Sequence, residues 1–223
     1  MRSAQWLESA NSKIIATSSL AYICGLHQNI RELLFQSKNE QTFSGLLASY
    51  INLQISEPEF PMMTEIKGVD MLKGDSKLVK NSHDLALVDI EGRISLTIES
   101  KVWYHFDGSI GLTGEVNKDV VAGIDADILK SIRTQREFGN KAFLLINVIT
   151  PEVMKKYESA HNTVFKRVDG DPIRFRAECL EGFTKVLNSR SELNSIVHIT
   201  FEQNSDGTKG GFLDIFAAEI LCN

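Results

Sequence analysis

The stretch KAFLLINVIT, residues 141–150, most constrains how this chain can fold. An almost continuous apolar run of this kind, with Asn147 as the polar residue within 142–149, is typical of a strand buried on both faces of a sheet. Just before it, residues 117–139 place Val120, Ile124 and Ile128 at helical spacing, with Gly139 in a C-cap position. Because a helix and a buried strand follow one another in this way, the pair predicts an α/β fold.

The preceding patterns extend this order. Residues 39–55 carry a helical apolar stripe, with Asn39 as its N-cap and Glu40 in the first turn, where negative charge suits the helix dipole. Residues 62–71 fit an extended strand, and residues 83–103 fit two strands joined at Glu91-Gly92. The resulting order of helix, three strands, helix and strand predicts a central mixed β-sheet flanked by helices.

The ends of the chain add further elements. Residues 18–36 have a helical apolar pattern, Pro151 is suited to the first turn of a helix over 151–165, and residues 174–189 predict another helix. Residues 195–203 predict a strand, and 212–221 a final hairpin or strand-to-helix unit. We therefore expect one domain over 1–223, with a core at about 39–150, an N-terminal helical extension over 1–38 and C-terminal helix and strand additions over 151–223.

Composition limits the classes of function. With 43% apolar and 24% charged residues among 223, the chain is that of a folded protein, and its net charge of −5 excludes a general polycation. A nucleic-acid partner would need a local basic surface or bound metal ions. The three cysteines have no CxxC spacing, and no apolar segment fits a signal peptide or a spanning helix. These features predict a cytoplasmic protein without a membrane partner.

The hairpin places charged residues within apolar strands. If Ile90 faces Arg93 across a two-residue turn, Val88 faces Ser95, Ala86 faces Thr97, and Asp84 faces Glu99 with Cβ atoms roughly 5 Å apart. Alternation along the strand then puts Glu99 and Lys101 on one face. Like charges facing each other across strands are destabilising, so the acidic pair predicts a neutralising divalent cation, and hard oxygen ligands favour Mg²⁺ or Mn²⁺. The simpler alternative is a solvated strand face on which Lys101 compensates the acids.

Asp84, fourteen intervening residues and then Glu99-Ser100-Lys101 resemble the D-x(n)-E-x-K motif of the PD-(D/E)XK nuclease superfamily, whose fold is restriction endonuclease-like. The order of elements over about 39–150 is similar to the core of that family as well. The resemblance implies that Asp84 and Glu99 bind Mg²⁺ or Mn²⁺ and that Lys101 positions the attacking water or stabilises the transition state. The proline that usually precedes the Asp is absent, and His83 stands there.

Family members often carry an acidic residue on the helix before the motif strands, and Glu40 matches that position as a further metal ligand, although a first-turn helix charge explains it equally well. Lys130 and Gln135, on the following helix, are auxiliary substrate-binding candidates, against the alternative of a solvated helix face. His83 and His105 flank the motif strands, but we assign neither a catalytic role. The lysines before the hairpin form either a phosphate-facing rim or a solvated turn: Lys67, Lys73, Lys77 and Lys80.

These features predict a Mg²⁺-dependent endonuclease that hydrolyses phosphodiester bonds, with DNA as the expected substrate, in a restriction, defence or repair setting. One alternative is a non-catalytic nucleic-acid-binding or assembly protein that keeps the nuclease fold, and another is a hydrolase of small phosphodiesters. Paired active sites would suit cleavage of both strands, so a homodimer is considered, with residues 210–221 supplying an edge strand or an apolar surface.

Overall fold

The structure, a computed structural model, describes residues 3–26, 31–32, 34–35, 40–55, 62–66, 71–72, 78–79, 83–88, 93–105, 109–110, 115–151, 171–203 and 210–222. The helices are α1 (Ser3–Ser9), α2 (Ser12–Gly25), α3 (Glu40–Gln54), α4 (Lys118–Phe138) and α5 (Pro172–Asn188). The strands are β1 (Met62–Ile66), β2 (Met71–Leu72), β3 (Leu78–Val79), β4 (His83–Val88), β5 (Ile94–Tyr104), β6 (Ser109–Ile110), β7 (Glu115–Val116), β8 (Lys141–Pro151), β9 (Leu193–Gln203) and β10 (Gly211–Ile220).

Six of these strands form one mixed sheet in the order β1–β4–β5–β8–β10–β9. β5 and β8 run parallel, with α4 in the crossover connection that parallel neighbours need, and the other neighbours in the sheet are antiparallel. Two short antiparallel ribbons, β2–β3 and β6–β7, lie outside the sheet. The predicted α/β fold with a central mixed sheet flanked by helices is therefore confirmed.

Each face of the sheet has its own apolar core. On the first face, Leu96, Ile98 and Leu145 pack with residues of α1, α2 and α3. On the second face, Ile146 and Val148 pack with residues of α4 and α5. Successive residues of β8 thus alternate between two cores, which explains why residues 142–149 are apolar apart from Asn147.

The helix α4 agrees with its sequence signals. Asn117 caps its first turn by accepting a hydrogen bond from the Asp119 N–H, and Gly139 ends it in the left-handed conformation with φ 66°. The Gly139 N–H donates to the Gln135 carbonyl at 2.7 Å. Glycine is favoured there because a Cβ atom makes that conformation costly.

Three expectations for the flanking regions are wrong. The segment predicted as one helix over 18–36 is not continuous: α2 begins at Ser12, after the Asn11 cap, and ends at Gly25, and residues 31–32 and 34–35 are helical again. Pro151 ends β8 rather than beginning a helix, and 152–165 lie outside the described residues. The strand β10 lies between β8 and β9, so its backbone is paired on both sides and cannot supply the edge expected for a homodimer.

The described strands at the edges of the sheet are β1 and β9. None of the described helices has the length and apolar composition needed to cross a membrane. The predicted cap Asn39 and the turn Glu91-Gly92 lie outside the residues that the structure describes.

Candidate functional site

The strand register brings the motif residues to one place. β4 and β5 pair as counted from the sequence at Leu85–Ile98, Ala86–Thr97 and Leu87–Leu96. The prediction is wrong at Val88, which faces Ile94 rather than Ser95, because the register shifts there. A bulge near the turn leaves the far end of the hairpin unchanged, so Asp84 and Glu99 are the next positions beyond the Leu85–Ile98 pair.

Asp84 is fixed by the neighbouring strand. Its Oδ2 accepts a hydrogen bond from the Ser100 N–H at 2.8 Å. Its charge also acts on Glu40 and Glu99, since it is among the influences that raise the pKa of both side chains. Asp84 therefore belongs to the same charge cluster as these two glutamates.

Glu99 lies at the centre of that cluster and is fully buried. One carboxylate oxygen, Oε1, accepts a hydrogen bond from Nδ1 of His83, and the other, Oε2, accepts one from Nζ of Lys130. Burial raises the pKa of Glu99, and the contacts with His83 and Lys130 oppose that rise. Burial therefore remains the largest influence on this carboxyl group, although each of its oxygens has a partner.

Lys101 connects the hairpin to two helices. Its Nζ lies 3.2 Å from Oε1 of Glu40, at the start of α3, and 3.1 Å from Oδ2 of Asp127, on α4. Burial alone would lower the pKa of Lys101, but the charges of Asp127, Glu40 and Asp84 together raise it above its ordinary value. Lys101 is therefore a stable positive charge held among carboxylates.

Glu40 completes the group from the N-terminal end of α3. Partial burial raises its pKa, and the neighbouring Lys101 opposes that rise. The structure thus brings together the three predicted metal ligands and the motif lysine. Glu40 interacts with a residue 61 positions away, so the contact is not a local helix effect.

The charges of the cluster do not balance. When ionised, four carboxylates, those of Glu40, Asp84, Glu99 and Asp127, meet two ammonium groups, those of Lys101 and Lys130, while the His83 imidazole against Glu99 adds a third positive charge only when it is protonated. The carboxylates therefore outnumber the cationic groups, and a bound cation would reduce the remaining negative charge. The donor set consists of hard carboxylate oxygens, which suit Mg²⁺ or Mn²⁺.

The carboxylate oxygens are nevertheless turned toward the lysines. Among the residues that the structure describes, no three or more His, Cys, Asp or Glu side chains are arranged as a group that could hold a metal ion. Lys130 contacts Glu99 and lies 3.6 Å from Asp127, and Lys101 separates Asp127 from Glu40. A cation would therefore fit the chemistry of the cluster only if at least one ammonium group moved.

The two auxiliary substrate-binding candidates on α4 differ in position. Lys130 reaches the cluster through Glu99, whereas Gln135 does not, because its Nε2 donates to the Ile220 carbonyl at 2.8 Å. Among the described contacts, Gln135 is therefore tied to the end of β10. The four lysines before the hairpin lie outside the described residues: Lys67, Lys73, Lys77 and Lys80.

The sequence analysis assigned no role to two members of the site. His83 is buried against Glu99 rather than placed toward substrate, and its position directly before Asp84 was the available signal. Asp127 belongs to the buried stripe of α4, seven residues before the buried Thr134. A carboxylate within the apolar stripe of an amphipathic helix is a signal for a buried partner, here Lys101.

His105 lies apart from this cluster. It is buried, its Nδ1 is 3.4 Å from the Ile149 carbonyl oxygen, and its ring packs edge-on against Phe175. Burial lowers its pKa to about 3, so it is a neutral core residue at physiological pH.

Comparisons with known proteins give no family for this chain. No protein-family model, curated protein or solved structure matches it significantly.

Proposed function

We propose that this protein is a metal-dependent nuclease of the PD-(D/E)XK type that hydrolyses phosphodiester bonds, with DNA as its substrate. The observation that carries the proposal is a single charge cluster: Glu40 and Asp84 act on Lys101, and Asp84 also acts on Glu99, which lies two residues before Lys101 on β5. The topology supports it as well. The motif strands β4 and β5 follow β1 in antiparallel order, and α4 leads to β8, which is parallel to β5.

The acidic side chains would hold a divalent cation. Asp84 and Glu99 would be its main ligands, with Glu40 as a third. When bound, such a cation polarises a phosphoryl oxygen and makes a water molecule easier to deprotonate. The buried position of Glu99 strengthens this interaction, because charges attract more strongly where water is excluded.

Lys101 would act on the substrate rather than on the cation. Its side chain is 22% exposed, and its Nζ is held between two carboxylates of different helices. A fixed ammonium group there can orient the attacking water and stabilise the negative charge that develops on the phosphate. Lys130, on the next element, would contribute a second positive charge toward the phosphate backbone.

The test is cleavage of a panel of substrates by the purified protein: supercoiled plasmid, linear single-stranded DNA, RNA and a small chromogenic phosphodiester. We expect nicking or linearisation of plasmid with Mg²⁺ or Mn²⁺ and none with excess EDTA. Cleavage of the small diester alone would replace this proposal with a hydrolase of small phosphodiesters. DNA binding without cleavage under any of these metals would favour a non-catalytic binding protein.

A further inference from the structure

A buried series of hydrogen-bonded polar groups extends from Glu99 into the core. His83 contacts Glu99 Oε1 through Nδ1, while its Nε2 lies 2.9 Å from Oγ1 of Thr134. The Thr134 hydroxyl in turn lies 3.2 Å from the backbone carbonyl oxygen of Lys130. This hydrogen-bonded series therefore connects β4, β5 and α4. It begins at the Glu99 side chain and ends at the Lys130 backbone, and these two residues also contact each other.

The three polar side chains of this series are shielded from water. Glu99 and Thr134 are 0% exposed and His83 is 2% exposed. An imidazole with a partner on each ring nitrogen cannot rotate without losing a buried hydrogen bond, which is unfavourable. The ring is consequently held in place, and so is its contact with Oε1 of Glu99.

The two oxygens of Glu99 have different surroundings as a result. Oε1 is occupied by His83 from within the core. Oε2 faces Lys130, whose side chain is 24% exposed and can leave toward solvent. A cation arriving from solvent can reach Oε2 by displacing an ammonium group, whereas reaching Oε1 would require opening the core.

We infer that His83, held by Thr134, is a positioning residue that presents Oε2 of Glu99 alone to a divalent cation, and that Lys130 occupies this cation position until the cation binds. The inference rests on the proposed function. Two neighbours of the same carboxylate should then act on cation affinity with opposite sign. His83 strengthens binding because it orients the ligand, and Lys130 weakens it because its ammonium group competes.

The experiment is titration of the full chain with Mn²⁺, followed by the electron paramagnetic resonance signal of the free ion. His83→Asn and His83→Gln form a matched pair. The Asn amide N–H lies near the position of Nδ1 and can still donate to Glu99, whereas the Gln amide lies near Nε2 and reaches only Thr134. We expect His83→Asn to bind within about threefold of the unsubstituted protein, and His83→Gln to bind roughly 10- to 100-fold more weakly, as for other residues that orient metal ligands.

Lys130→Met should bind Mn²⁺ several-fold more tightly than the unsubstituted protein, and thermal unfolding would verify that each variant is folded. Equal affinities of the Asn and Gln variants, or weaker binding by Lys130→Met, would overturn the inference while leaving the proposed function intact. Absence of Mn²⁺ binding by the unsubstituted protein would instead overturn the proposed function, and the inference with it.

Discussion

Removing the guanidinium group of Arg176 should destabilise the fold strongly. Arg176 Nε and Nη2 donate to the two carboxylate oxygens of Asp214 at 2.6 and 2.5 Å, and Asp214 is fully buried in β10. Thr200 and His198 also contact Oδ1, at 2.7 and 3.0 Å. This arrangement connects α5 to the second face of the sheet, the face from which Lys101 and Glu99 project.

The magnitude follows from the burial of Asp214. Removing one partner of a buried ion pair costs roughly 3–5 kcal/mol, because the remaining charge is left uncompensated. Two donors to Asp214 would remain in Arg176→Met, and the Arg176 side chain is 15% exposed, so we expect a loss of about 2–4 kcal/mol in the free energy of unfolding.

Urea denaturation followed by tryptophan fluorescence would measure this loss, because Trp103 stacks on Phe183 of α5 with ring centroids 5.7 Å apart. Arg174→Met is the matched control, two residues away on the same helix. The Arg174 side chain is 57% exposed and its ion pair with Glu178 spans 3.9 Å, so that variant should lose less than about 1 kcal/mol. Equal losses for the two variants would refute the reasoning.

Acid denaturation tests the ion pair of Arg176 and Asp214 independently. Burial would raise the pKa of Asp214, but hydrogen bonds from His198, Arg176 and Thr200 lower it below its ordinary value. A carboxylate with a lowered pKa stabilises the fold above its unfolded-state pKa, and this stabilisation disappears as the pH falls through the folded-state value. In Arg176→Met the folded-state pKa of Asp214 should lie closer to its unfolded-state value, so the difference in stability between the variant and the unsubstituted protein should narrow as the pH falls through this range. A stability difference that stays constant over this range would contradict this assignment.

Three further predictions concern other parts of the fold. Gly211→Ala should destabilise the protein or prevent folding, because φ is 150° and an added Cβ would lie 2.2 Å from the Thr150 carbonyl oxygen. Gly123→Ala, in open space on α4, should instead stabilise the protein by roughly 0.5–1 kcal/mol. Changes of opposite sign in the free energy of unfolding, measured by urea denaturation, would confirm both. Lys141→Met should loosen the attachment of α1 to the sheet, since Lys141 Nζ donates to three backbone carbonyls near the end of α1. Faster amide hydrogen exchange over 3–10 would show this, and unchanged exchange would count against it. His105 is neutral in the fold, so the free energy of unfolding should fall by roughly 1 kcal/mol per pH unit as the pH drops from the ordinary pKa of 6.5 to the folded pKa of about 3. His105→Gln should flatten that slope, and an identical slope would exclude His105 as its source.

Local sequence signals predicted the parts of the fold that depend on short-range chemistry. The α4 helix, its Gly139 cap and the buried strand β8 follow from side-chain periodicity and backbone preference. The hairpin register followed from counting because side chains alternate along a strand, and among the pairs that the structure describes it departs from the count at the Val88 bulge, which spacing does not reveal.

Long-range placement was less accessible. The apolar strand β10 could have stood anywhere in the sheet, and only packing against both β8 and β9 made it internal. Asp214 within that strand is a carboxylate in an apolar run, the same signal that identified Asp84 and Glu99. Its partner Arg176 is 38 residues away, and sequence spacing contains no information about that pairing.

The most direct test of the account is metal-dependent plasmid cleavage by three single variants compared with the unsubstituted protein. Asp84→Asn and Lys101→Met remove charges from the cluster, while Asp125→Asn is the control, because Asp125 pairs with Arg190 on the exposed side of α4. We predict that cleavage falls at least about 100-fold in the first two variants and is unchanged in the third. Cleavage by Asp84→Asn and Lys101→Met at the rate of the unsubstituted protein would contradict the placement of the chemistry on this hairpin.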